Sequence, residues 1–286
     1  MTEESFTWAV GGGPVAGSIV GYSAEEQASS PRGPTQLDSA TKIVRSGRAY
    51  WSLAVYPTAG EAGGSVRFAL KSGRGPGEFE AEEDRAATEA TRRARGKIRR
   101  YATANGLNRL GTLTYSGEGC FEPAVFRGHI GRFFRKVKNE LGGESFPYVW
   151  VPEWHPGGHG LHAHFAVGRY VKRRSIERAW GRGFVHIKLL GNLPVGSGRF
   201  EEARRAGRYL GKYVAKDFDA DRIGGLHRYD VARGYEPAVV QVEGRSVGRG
   251  LEQACEIMGG SPSELWLSGN EPSWLGPPAV WASWSG

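Results

Sequence analysis

Residues 153–167 read Glu153-Trp-His-Pro-Gly-Gly-His-Gly-Leu-His-Ala-His-Phe-Ala-Val167, and the organisation of the chain follows from how they are read. Side chains alternate faces along a strand, so His162 and His164 point one way while Leu161, Ala163, Phe165 and Val167 point the other. The two imidazoles then stand roughly 6.6 Å apart along the strand, close enough to converge on one ion through neutral ring nitrogens. Glu153 ends the preceding apolar run, Tyr148 to Glu153. The glycine-rich loop of residues 154–160 can return the chain as a hairpin, bringing that carboxylate beside the imidazoles. Two His and one carboxylate leave positions open for water and a phosphate oxygen, a mixed set that suits Mg²⁺ or Mn²⁺. Two other readings compete. His155 and His159 in the same loop can join a structural zinc site, or His162 and His164 can be half-buried strand residues with satisfied hydrogen bonds.

Outward from this hairpin, strands and helices mix without a regular βαβ repeat. Leu110 to Tyr115 suits a strand. From Glu122 to Leu141, Phe126, Ile130, Phe133, Val137 and Leu141 recur at helical spacing. A short helix near Arg174 to Trp180 precedes a strand at Phe184 to Leu189, and Glu201 to Lys216 reads as a helix. Glu78 to Ala104 reads as a helix with a basic second half. The pattern predicts an α+β fold on a sheet of strong antiparallel character. Residues 1–45, rich in Gly, Ser, Pro and Thr, read as flexible. Residues 46–80 read as an extension carrying short strands at Ala49 to Tyr56 and Val66 to Leu70, and 81–245 as the main domain. Residues 246–286 form a Trp- and Pro-rich tail with Trp266, Trp274, Trp281 and Trp284, either docking a partner or packing on its own domain.

The second constellation is Arg205-Ala-Gly-Arg-Tyr209-Leu-Gly-Lys-Tyr213-Val-Ala-Lys216. On a helix Tyr209 and Tyr213 stack one turn apart, with Arg205, Lys212 and Lys216 beside them, while Ala203, Ala206, Leu210 and Val214 form an apolar stripe. Cations there favour a phenolate and bind phosphates, which suits a tyrosine nucleophile. The alternative is that both rings simply pack.

Charge supports a polyanionic partner. From Arg85 to Lys216 there are 26 Lys and Arg against 9 Glu and no Asp, whereas the rest of the chain carries 12 basic and 21 acidic residues. A basic middle between acidic flanks suits nucleic acid. Arg205, Arg208, Arg132 and Lys136 are candidate DNA contacts, and the run Arg92 to Arg100 can grip phosphates as well. Two distant cysteines, Cys120 and Cys255, exclude a disulfide framework or Cys-based zinc finger. No secretory pattern and no membrane-length apolar run is seen, so a cytoplasmic location is expected. No phosphate-binding Gly-x-x-x-x-Gly-Lys-Ser/Thr loop is present, so no helicase motor is expected within the chain.

Three motifs in order resemble the HUH endonuclease superfamily, in particular the rolling-circle replication initiators (Rep proteins) of plasmids and small single-stranded DNA phages. They are Gly-Thr-Leu-Thr-Tyr at 111–115, His162-Ala-His164 with upstream Glu153, and Tyr209-Leu-Gly-Lys-Tyr213-Val-Ala-Lys216, which is similar to the Tyr-x-x-Lys-Tyr-x-x-Lys pattern of small phage initiators. The resemblance covers about residues 85–230. It implies a central, about five-stranded antiparallel sheet with the histidines on a middle strand and a tyrosine facing them. It also implies the reaction: metal-assisted attack by Tyr213 on single-stranded origin DNA, a 5′-phosphotyrosine link and a free 3′-hydroxyl, with Tyr209 as a second nucleophile in two-tyrosine members. A host helicase and DNA polymerase are the implied partners. Conjugative relaxases place the tyrosine before the histidines, and small transposases are shorter, so the Rep reading leads over a transposase, a relaxase or a non-catalytic DNA-binding regulator.

Overall fold

A computed structural model describes residues 49–68, 79–189, 200–216, 223–272, 274 and 276–285; the expected flexible segment 1–45 lies outside them. Two five-stranded antiparallel sheets organise these residues. The histidine-bearing sheet has the order β6-β3-β5-β4-β7. Its strands are β3 (Arg109–Tyr115), β4 (Tyr148–Trp154), β5 (Leu161–Val167), β6 (Gly183–Leu189) and the two-residue β7 (Asp230–Val231). Each of the four long strands falls within a residue of its sequence expectation. β5 carries the histidines and is the middle strand, as the resemblance implied.

Both faces of this sheet are covered, because its strands carry apolar residues on each side. One face buries Leu113, Trp150, Leu161, Ala163 and Phe165 beneath α2 (Pro123–Glu140) and α3 (Arg173–Trp180). α2 presents Phe126, Ile130, Phe133, Phe134 and Val137 inward, the stripe read from its spacing. The opposite face buries Leu110, Val149, Val151 and Ala166 beneath α1 (Phe79–Ala104) and α4 (Glu201–Lys216). Gly111 looks toward α2 and has a steric reason: a Cβ there would lie 2.2 Å from the Phe165 ring.

The second sheet, with order β8-β1-β2-β10-β9, goes beyond the sequence expectation. It joins β1 (Ala49–Tyr56) and β2 (Glu61–Phe68) to β8 (Val240–Gly244), β9 (Glu264–Leu267) and β10 (Ala279–Ser283). α5 (Val247–Met258) packs Leu251, Ala254 and Cys255 over Trp51, Leu53 and Val55 of this sheet. The stretches read separately as an N-terminal extension and a C-terminal tail thus pair with each other. The tail tryptophans pack on their own fold: Trp284 is buried and donates to the Gly260 carbonyl at 2.7 Å, and Trp266 meets Trp274 edge-on at 5.1 Å. The true limits of β2 are hidden in the sequence because Gly63-Gly64 reads as a turn. A Cβ on Gly64 would meet the Ser52 carbonyl at 2.0 Å, so the close strand pairing there demands glycine.

The arginine run of α1 is also placed differently from its sequence expectation. Arg99 grips the buried Glu61 carboxylate with two 2.8 Å bonds, and Arg100 adds a third at 3.1 Å. Arg100 lies over Tyr56, Arg99 over Trp281 and Arg92 over Trp274. These three cations bind the second sheet rather than standing free for phosphates; their partners come from both ends of the chain, which helical periodicity cannot reveal.

Candidate metal and tyrosine centre

The hairpin register sets the metal residues together. Glu153 on β4 pairs directly with His162 on β5, and all three of Glu153, His162 and His164 are buried. The Glu153 Oε2 atom lies 2.7 Å from His162 Nε2 and 2.8 Å from His164 Nε2, and the two Nε2 atoms are 3.0 Å apart. The imidazole planes stand at 81°, so the nitrogens converge from different directions. Two imidazole nitrogens and a carboxylate oxygen aimed at one point form a donor set that a divalent cation fits. Among the described residues this is the one group of three such donors close enough to hold an ion. His155 and His159 stand outside it, and His155 Nδ1 accepts the Gly157 amide at 3.0 Å.

The hairpin loop is pinned from outside. The Leu161 amide donates to the Cys120 carbonyl at 2.7 Å, and the His155 amide donates to the Gly160 carbonyl at 2.8 Å. Gly160 has φ +72° and its missing Cβ would lie 2.3 Å from the Cys120 carbonyl oxygen, so both its conformation and its space call for glycine.

Thr112 supports the centre from β3. It pairs with His164 across the sheet, and its Oγ1 lies 3.1 Å from His164 Nδ1. An Nδ1–H donating to that hydroxyl leaves the Nε2 lone pair free for a metal. In the sequence Thr112 stands within a motif that assigns it no role. The available signal was its even spacing from Leu110 on a strand facing the histidines.

α4 lies across this face. Tyr213 stacks on His164 with ring centroids 3.7 Å apart and planes 13° from parallel, and its hydroxyl donates to Tyr209 at 2.6 Å. Burial raises the Tyr213 phenol well above its ordinary range, and the hydrogen bond to Tyr209 and the Glu153 charge push the same way. The cations expected to favour a phenolate do not govern it. Arg205, Arg208 and Lys212 are exposed, and Arg208 pairs with Glu201. Lys216 closes the helix. The apolar stripe, Ala203, Ala206, Leu210 and Val214, is buried and seats the helix. Gly207 and Gly211 let it approach α1, since a Cβ on Gly207 would sit 2.7 Å from the Arg99 Cα.

The structure therefore gathers Glu153, His162, His164, Tyr209 and Tyr213. Arg132 and Lys136 are exposed on α2, which covers the opposite face of the sheet.

A five-stranded antiparallel sheet with a His-hydrophobic-His pair on its central strand, faced by a tyrosine helix, defines an HUH-type α+β fold. Residues 108–218 match the family model of the Replication-associated protein ORF2, and over this segment the chain belongs to that family of Rep-type proteins. The resemblance to rolling-circle Rep proteins is borne out, and with it a Rep-like role in replication. No curated protein and no solved structure matches the chain. No described helix is long and apolar enough to cross a membrane.

Proposed function

We propose that the protein initiates rolling-circle replication by nicking single-stranded DNA at an origin and holding the 5′ end on a tyrosine. The observation that carries this reading is the Tyr213 ring stacked 3.7 Å from the His164 ring of the Glu153–His162–His164 group. Binding alone would need a basic surface; a buried metal-type triad against a phenol is the equipment of phosphoryl transfer. A divalent cation held by Glu153, His162 and His164, Mg²⁺ or Mn²⁺, supplies Lewis acidity and orients the scissile phosphate.

The chain's own residues do the rest. Tyr213 Oη attacks phosphorus, forming the phosphotyrosyl bond as the bond to the 3′ oxygen breaks. The departing oxygen takes a proton and becomes the free 3′-hydroxyl. The phenolic proton of Tyr213 leaves along its hydrogen bond to Tyr209. Because one phosphodiester replaces another, the link preserves the energy needed for rejoining. Thr112 holds His164 in the tautomer that keeps Nε2 available, and Arg205 and Lys212 flank the tyrosines for phosphates. Tyr209 sits one turn away as the second nucleophile for a successive transfer. A host helicase and polymerase extend the nick.

The test is a denaturing gel for covalent adduct between the purified protein and labelled single-stranded DNA from its replicon's origin, with Mn²⁺, Mg²⁺ or EDTA. The expected result is a metal-dependent adduct lost in Tyr213→Phe and in His162→Ala/His164→Ala. Loss only in Tyr209→Phe moves the nucleophile one helical turn. Cleavage without adduct means water is the nucleophile. Binding without cleavage on any origin fragment leaves a DNA-binding regulator.

A further inference from the structure

Beyond the metal residues, the same face of the histidine-bearing sheet continues across β3 to the edge strand β6. Val185 and Ile187 of β6 turn into the core shared with α2 and α3. Alternation therefore directs Phe184, His186 and Lys188 to the face that carries His162 and His164. The register aligns them. Thr112 lies between His164 on one side and His186 on the other, and Thr114 pairs with Phe184. Two inter-strand steps of about 4.8 Å put β6 roughly 9.6 Å from β5, so the strip begins beside the metal group and runs away from it.

Phe184 is 71% exposed, more than any other large hydrophobic side chain among the described residues, and it stands on an edge strand. A large exposed ring on an unpaired edge invites self-association unless something uses it. Its neighbours indicate what does. His186 and Lys188 are exposed on the same strand, Arg182 is exposed just before it, and β6 contains no carboxylate. The hydroxyls of Thr112 and Thr114 lie between the ring and the histidines. An aromatic face flanked by cations and hydroxyls is how proteins hold unpaired bases while tracking the backbone. A duplex hides its base faces and cannot use such a ring, and an acidic protein partner would leave the ring unexplained.

We propose that the strip Thr112, Thr114, Phe184, His186 and Lys188 binds the unpaired nucleotides beside the scissile phosphate, with a base stacked on Phe184. This rests on the reading of the chain as a single-strand nickase and assigns the substrate track of that site. Lys188 and Arg182 meet phosphates, and the threonine hydroxyls meet base edges or sugars.

The experiment is equilibrium binding of fluorescein-labelled oligothymidylate to the full chain in EDTA, so that cleavage plays no part. The adduct assay is run in parallel with Mn²⁺. Phe184→Ala is expected to weaken single-strand binding by between about fivefold and about a hundredfold, and Phe184→Trp to restore it. Affinity for a duplex of the same length stays unchanged. A 2-aminopurine placed next to the cleavage position is quenched by wild type and not by Phe184→Ala. Wild-type affinity in Phe184→Ala overturns the proposal while leaving nicking intact. Equal loss in Phe184→Ala and Phe184→Trp overturns stacking as the cause. Failure of the wild-type protein to bind the oligonucleotide or form adduct brings down the nickase reading itself, and this inference with it.

Discussion

His164 uses every side of its ring. Nε2 faces Glu153 and His162, Nδ1 meets the Thr112 hydroxyl, and the flat face carries Tyr213. A change at Thr112 should therefore register at the metal before it registers in the fold. Thr112→Val is expected to weaken Mn²⁺ binding by roughly 10- to 100-fold, with Thr112→Ser close to wild type, as read by titration of the free Mn²⁺ resonance signal. Unchanged affinity in Thr112→Val would remove the positioning role. Gly111, beside it, is a matter of space: a Cβ would press into the Phe165 ring at 2.2 Å. Gly111→Ala should cost about 1–3 kcal/mol in urea unfolding. The metal residues were legible in the sequence because strand alternation alone pairs His162 with His164, and a short loop returns Glu153. Thr112 was not, because its partner lies 52 residues away and only the strand register joins them.

The helix that presents the tyrosines depends on how closely it can cross α1. A methyl group added at Gly207 would stand only 2.7 Å from the Arg99 Cα, whereas at Gly211 the nearest atom, the Arg95 Cγ, is 3.4 Å away. Gly207→Ala should push the helices apart, costing about 1–3 kcal/mol, and lower the rate of adduct formation as Tyr213 shifts on His164. Thermal unfolding and single-turnover kinetics measure the two effects. If both are unchanged, the crossing does not hold the tyrosine in position. Helix limits were readable from apolar spacing, as for α2, whose stripe of Phe126, Ile130 and Phe133 is buried as read. The use of α1's arginines was not. The same periodicity that marks a basic face cannot say whether it meets phosphate, water or, as here, Glu61 and a row of aromatic rings.

Across the molecule the Glu61 cluster ties the second sheet to α1. Glu61 is 2% exposed. Burial by itself would push its carboxyl up, but the Arg99 bonds and the Arg99 and Arg100 charges, helped by Trp281, hold it below its ordinary range. A carboxylate depressed in the fold contributes stability that is complete above its unfolded pKa of about 4.3 and fades as pH falls toward the folded value. Glu61→Gln should therefore lower stability by about 3–5 kcal/mol at neutral pH, since it strands two arginines in a half-buried site. It should also flatten the acid limb of stability against pH, both read from urea unfolding. An acid limb identical to wild type would mean that Glu61 does not set it. The second sheet stayed hidden at sequence level because its short strands come from residues 49–68 and 240–283 with the whole histidine-bearing sheet between them. That interleaving fixes a timetable. A ribosome delivers the β1–β2 hairpin first, with Trp51, Leu53 and Val55 awaiting their cover, and completes the histidine-bearing sheet when Val231 emerges. Only after Ser283 does the hairpin gain its last partner. The sheet begun first is finished last, so a nascent chain holds a complete metal-site sheet while its first-made strands still depend on chaperones.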